Sequence, residues 1–308
     1  MTFNNKSNTI TGIGLAVLAA VIWSGNFIIA RSISPIVPPV TLAFLRWFFA
    51  TVIIAPIAWN KFQQEKQIIW QHKGYFILTS FMGFTCYNVF LYIAGHYTTA
   101  INLALIGSVA APIFAVIIAK IIFKEHVPLQ RVIGLALCII GIITLIAQGS
   151  LQRLITFRFA IGDLWSLLGA LTFAIYNNLT KYKPKGVSDL GFLFTGFTFG
   201  TSMLVPFVIA EHIIIPTSIP FNVTVVSNVA YLSIGCSVLS YLFWNRSIHL
   251  IGPSRTVLFG NLIPIFSTIE AVVLLGEQFT SIHIISGMIV LIGLVIANIT
   301  PPKKTLTN

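Results

Sequence analysis

Apolar residues run along this chain in long blocks broken by short clusters of proline, glycine and charge. A bilayer core about 30 Å thick needs roughly 20 helical residues, and only helices or closed barrels satisfy the backbone inside it. The blocks have helical length, and ten are predicted, at 12–31, 38–60, 74–95, 99–123, 129–148, 161–180, 189–210, 224–246, 254–275 and 281–299. Pro35, Pro38 and Pro39 separate the first two, Pro128 the fourth and fifth, Pro184 with Gly186 the sixth and seventh, Pro216 and Pro220 the next pair, and Gly252-Pro253 the eighth and ninth. The first block continues past Trp23 and Asn26 without a small-residue cleavage site, so it is expected to be a retained span rather than a signal peptide.

Composition excludes a soluble globule. Of 308 residues 56% are hydrophobic and 8% charged, against about 25% charged in soluble domains. The expected fold class is therefore an all-α membrane protein with ten transmembrane helices. A net charge of +11 would suggest nucleic acid in a soluble chain. Here the basic residues fall between the apolar blocks, and no nucleic-acid partner is expected. With the N-terminus inside, the inner segments collect Lys6, Lys61, Lys66, Lys73, Lys120, Lys124, Arg131, Lys181, Lys183, Lys185, Arg246, Arg255, Lys303 and Lys304. The outer ones collect Arg31, Arg153 and Arg158, and Arg46 lies inside a span. Basic residues accumulate on the cytoplasmic side, which predicts cytoplasmic termini and an even span count.

The chain also matches itself. At a shift of 152, Pro112-Ile113-Phe114 falls on Pro264-Ile265-Phe266, Glu125 on Glu277 and Gly141 on Gly293. At a shift of 150, Trp23 falls on Phe173 and Pro56 on Pro206. A glutamate matched to a glutamate weighs most, because the chain holds only 7 acidic residues. Two five-helix units are predicted, 1–150 and 151–308. Five is odd, so consecutive copies enter the membrane from opposite sides and form inverted repeats, an architecture of secondary transporters.

Several short motifs accompany this pattern: Trp23-Ser24-Gly25-Asn26-Phe27, Leu45-Arg46-Trp47, Asn88, Tyr92-Ile93-Ala94, Thr98-Thr99-Ala100, Asn102, Leu105-Ile106, Pro112 and Glu125 in the first half. The second half has Gly162-Asp163-Leu164, Tyr176, Phe243-Trp244-Asn245, Gly252-Pro253-Ser254-Arg255, Asn261-Leu262-Ile263-Pro264 and Leu275-Gly276-Glu277. In this order the chain resembles the ten-span EamA-type members of the drug/metabolite transporter superfamily, over nearly its whole length. The resemblance implies a secondary exporter of amino acids, related metabolites or amphipathic drugs in a bacterial cytoplasmic (inner) membrane. Glu270 departs from the pattern, standing where a small or apolar residue is expected.

Charges within the bilayer are costly and tend to face a cavity or a partner. Arg46 lies seven residues from Pro39 and Glu270 seven before Glu277, so both sit about 10 Å below the outer surface. Equal depth allows an intramembrane ion pair if their spans adjoin. Glu270 is a candidate proton-binding carboxylate, with a permanent structural pair or a water-facing glutamate as the alternatives. The candidate substrate-binding residues are Trp23, Asn26, Asn88, Tyr92, Asn102, Tyr176, Asn177, Trp244, Asn245 and Asn261, with Ser24, Tyr87, Asn178, Ser237 and Tyr241 beside them. Asparagine offers donors and acceptors, while Trp and Tyr supply apolar walls with a polar handle. For any single residue, interhelical packing is an equally good explanation.

Other classes find no support. Cys86, Cys138 and Cys236 and the six histidines show no metal-ligand spacing, and no catalytic constellation or phosphate-binding loop occurs. Neither a cofactor nor an enzymatic activity is expected, and the energy for transport would come from an ion or solute gradient. A non-transporting membrane scaffold or sensor is the alternative. Gly134, Gly141, Gly287 and Gly293 are expected to let helices five and ten pack closely. Pro112 and Pro264 are candidate bending points inside matched spans, with static kinks as the alternative.

Overall fold

The computed structural model describes residues 2–122, 124, 127–147, 150, 152, 160–216, 218–251, 256 and 259–298. Glu125, His126, Arg153, Arg158, Gly252–Arg255, Lys303 and Lys304 lie outside the described residues. Most of the described residues are helical, with no strand among them. We number the helices α1 (Thr2–Ser32), α2 (Pro39–Gln71), α3 (Lys73–Tyr97), α4 (Ala100–Ile121) and α5 (Leu129–Ile146). The others are α6 (Ile161–Thr180), α7 (Asp189–Ile214), α8 (Val223–Ile251), α9 (Gly260–Leu275) and α10 (Ser281–Asn298). Six of them, α1–α4, α7 and α8, are long and apolar enough to cross a membrane, and α5, α9 and α10 are shorter apolar helices.

Two expected boundaries move for a physical reason. The predicted second span ends at 60, yet α2 runs on to Gln71. The stretch from Lys61 to Gln71 is polar but free of glycine and proline, so polarity marks a departure from apolar surroundings and not the end of the helix. Pro264 opens the α-helical part of α9 after the 3₁₀ turn Gly260–Leu262, where its missing N–H costs nothing. It is therefore not an interior bending point, whereas Pro112 does lie inside α4.

The internal match reappears in three dimensions. Thr51 of α2 and Thr201 of α7, 150 residues apart, place their hydroxyls 3.4 Å from each other. Cys138 of α5 donates from Sγ to the Val290 carbonyl of α10, 152 residues on, at 3.7 Å. Pairs of equivalent residues that touch each other are what a two-fold axis produces. Moreover, α3 widens into a π-helical segment at Phe81–Cys86 and α8 at Tyr231–Leu239, beginning 150 residues apart.

Close approach holds the α5–α10 contact. A Cβ at Gly134 would lie 2.4 Å from Ala297 N and Gly293 O, and one at Gly293 would lie 2.6 Å from Gly134 O. Gly141 would likewise meet Val290 at 2.6 Å, but Gly287 has nothing within 4 Å and takes no part in the seam. Gly276, in the left-handed conformation at φ 66°, ends α9 and turns the chain so that Glu277 accepts from Ala100 N at 2.7 Å and Ile101 N at 3.1 Å. Glu211 of α7 does the same for α2, accepting from Val40 N at 3.0 Å, Thr41 N at 2.8 Å and Thr41 Oγ1 at 2.7 Å. Both carboxylates join a helix of the second repeat to the start of a helix in the first.

Candidate functional site

Arg46 of α2 points into the interior, 4% exposed. Its Nε donates to Ser237 Oγ at 2.8 Å, and its Nη1 lies 2.9 Å from Asn26 Oδ1, 2.8 Å from Asn88 Oδ1 and 3.0 Å from Tyr92 Oη. The guanidinium thereby ties α1, α2 and α3 of the first repeat to α8 of the second.

Local structure prepares each acceptor. Asn88 donates from Nδ2 to Phe84 O at 3.1 Å, which turns its carbonyl oxygen toward Arg46. Tyr92 donates to Asn26 Oδ1 at 3.2 Å. Ser237 lies within the π-helical segment of α8 and donates to Leu232 O, five residues back, at 2.9 Å, so its oxygen is free to accept from Nε. Arg46 Cζ lies over the Trp47 ring, 4.6 Å from its centroid, a cation–π arrangement. Trp47 in turn packs on Phe84 and Phe197.

Beside this cluster Trp23 donates from Nε1 to the Cys236 carbonyl at 2.9 Å. Its ring lies 5.5 Å from Tyr241 and 5.1 Å from Trp244 between centroids. An aromatic wall therefore adjoins the residue that holds Arg46 Nε.

Glu270 occupies a separate place. Ser24 Oγ lies 2.7 Å from Glu270 Oε1 and 2.6 Å from Val21 O, while Glu270 Oε2 is buried without a partner. No ion pair joins Arg46 to Glu270, and the reason is angular. Ser24 and Asn26 stand two residues apart on α1, about 200° around the helix, so the carboxylate and the guanidinium approach it from opposite sides.

The EamA-like transporter family model matches twice, over residues 10–147 and 160–299. The chain belongs to the EamA-like transporter family. An "Uncharacterized transporter" of Archaeoglobus fulgidus is 26% identical over 286 residues, 91% of this chain and 94% of that one. A "Probable amino-acid metabolite efflux pump" of Salmonella typhimurium is 24% identical over 289 residues, covering 92% and 93%. One solved structure, 20% identical and covering 95% of this chain and 96% of its own, superposes with a TM-score of 0.61, which shows a shared fold.

The remaining candidates disperse across the transporter. Tyr176 packs its ring against Phe84 and Phe173, over Gly83, with centroids 5.4 and 5.7 Å away. Tyr87 stacks on Phe173 at 4.7 Å. Asn102 sits in the first turn of α4, its Oδ1 buried without a partner. Asn178 acts as interhelical glue, donating to Ala115 O and Ala174 O at 3.0 Å. Asn177 lines a small cavity of about 110 Å³ with Arg131 and Lys181. Asn245 and Asn261 are half-buried on α8 and the opening turn of α9. Thus Asn26, Asn88 and Tyr92 meet at Arg46, Trp23 and Trp244 form the adjoining wall, and Tyr176, Asn102, Asn177, Asn245 and Asn261 make no hydrogen bond to the cluster.

Sequence reasoning missed the cross-repeat roles of Glu211 and Glu277. The available signal was the absence of a capping side chain at Pro38, which leaves the α2 amides seeking an acceptor. A further cleft of about 480 Å³, lined by Leu105, Pro264, Ile269, Val272, Val273 and Met288 among others, is almost wholly apolar and offers no donor set for a polar solute.

Proposed function

We propose that the protein is a secondary active exporter of small metabolites (amino acids or related amphipathic solutes) or drugs. It works by alternating access of two inverted five-helix halves, 1–150 and 151–308, crossing the membrane ten times with both termini in the cytoplasm. The observation that carries this reading is the Arg46 cluster, where a buried charge and neutral polar side chains from both repeats converge beside the Trp23 wall. Sites in inverted-repeat transporters lie between the halves near the midplane, and a polar set flanked by aromatic rings suits an amphipathic solute.

Glu270 is the proton site of this mechanism. Ser24 has one hydroxyl hydrogen but two acceptors in range, Val21 O and Glu270 Oε1. A protonated Glu270 resolves the shortage by donating to Ser24 Oγ, which then donates to Val21 O. Reconstitution into proteoliposomes, with flux of labelled amino acids and amphipathic amines measured with and without a pH gradient, tests the function. Gradient-driven flux is the expected result. Its absence for every solute would return the protein to the scaffold class.

A further inference from the structure

We infer that Arg46 is the anchor for a carboxylate on the transported solute, held through Nη2; this rests on the transport reading above. A guanidinium carries five N–H groups, one on Nε and two on each terminal nitrogen. Ser237 takes the Nε hydrogen, and three oxygens, from Asn26, Asn88 and Tyr92, crowd the two hydrogens of Nη1. Nη2 makes no hydrogen bond to any described residue. The site is thus oversupplied with acceptors at one terminal nitrogen and without one at the other.

Charge leads to the same conclusion. The oxygens around Arg46 are neutral, so they orient the guanidinium without cancelling its charge. Buried charges require a counter-charge, and no described carboxylate provides it. Glu211 and Glu277 serve the starts of α2 and α4, Asp189 pairs with Lys183, Asp163 accepts from Thr98, and Glu270 meets Ser24. Glu65 has no hydrogen bond to Arg46. What the cluster lacks is one negative charge and one acceptor, and a carboxylate supplies both in a charge-assisted bond. A single cation matches a monocarboxylate rather than a phosphate dianion. The adjoining rings of Trp23 and Trp244 provide apolar cover for the rest of such a solute.

The test uses the purified full chain in lipid nanodiscs and two matched series: L-phenylalanine, 3-phenylpropionate, phenylalaninamide and phenethylamine, and the leucine counterparts of each. The acids are expected to raise the thermal midpoint, and the amides and amines at equal concentration to leave it unchanged. Arg46→Gln abolishes the acid preference. Arg46→Lys, which keeps the charge if the glutamine variant fails to fold, weakens acid binding by about tenfold or more. Amides that bind as well as acids, a glutamine variant that keeps the preference, or no response to any acid would each overturn the inference. Flux of the same compounds separates the two claims. Acids that bind but do not cross leave the anchor standing and remove the transport reading, whereas flux indifferent to the carboxylate removes the anchor alone.

Discussion

At the scale of single residues the polar interior is decided by hydrogen counts. Glu270 Oε2 is buried with no partner and Ser24 is one hydrogen short, so Glu270→Gln, which supplies amide hydrogens permanently, should transport without responding to a pH gradient. Flux measured with the gradient imposed and collapsed distinguishes this from a structural role, in which the response would persist. Gly83 makes a second case. A Cβ there would lie 2.2 Å from Tyr176 Cδ2, so Gly83→Ala must displace a buried ring. A loss of about 1–3 kcal/mol is expected, read as a lowered unfolding midpoint in detergent. These effects could not be ranked from sequence, because Asn26, Asn102 and Asn178 are alike as polar residues in apolar blocks. One accepts from Arg46, one has an unpartnered oxygen and one bonds two backbone carbonyls. For Asn26 and Asn178 the distinguishing partners, Arg46 and Ala115, stand 20 and 63 residues away in the chain.

At the scale of helices, the glutamates at the ends of α7 and α9 bind across the repeats. Glu211 accepts three bonds at the start of α2, where Pro38 offers no side-chain cap. Glu211→Ala should therefore cost about 1–2 kcal/mol of stability, and Glu211→Gln less, since one acceptor oxygen remains. The equivalent of Thr41 at a shift of 150 is Gly191, whose N–H is capped instead by Ser188 Oγ at 3.1 Å. Glu65 Oε2 is buried beside Gly191 with no partner. Ser188→Ala is thus expected to cost less than Glu211→Ala, because Glu65 can take the vacated N–H; thermal unfolding of the two variants side by side checks the order. Helix ends were only partly legible in the sequence. Breakers such as Pro128 and Gly276 mark them sharply, but the stretch after 60, expected as a loop, stays helical because nothing there opposes it.

For the whole molecule, contact of equivalent residues at Thr51–Thr201 and Cys138–Val290 sets the relation of the two halves. The α5–α10 seam is backbone against backbone at Gly134 and Gly293, which cannot yield to a side chain. Gly134→Val and Gly293→Val should abolish the folded protein, while Gly287→Ala, with open space around it, should leave the unfolding midpoint unchanged. The proposed topology is tested by single cysteines at Lys66 and Ser218. A membrane-impermeant maleimide applied to intact cells should label the second and not the first.

Hydrophobic block length, loop charge and internal repetition are properties of the linear chain, because the bilayer imposes them one segment at a time. They led to the membrane class, the all-helical fold and the doubled unit without reference to any long-range contact. The equal seven-residue offsets of Arg46 from Pro39 and of Glu270 from Glu277 were legible too, since they are distances along the chain. Their angular positions around α1 were not, and these separate the two charges into different sites. The Arg46 cluster likewise spans sequence separations from 20 to 191 residues, and its members meet because helix packing brings four distant turns to one point.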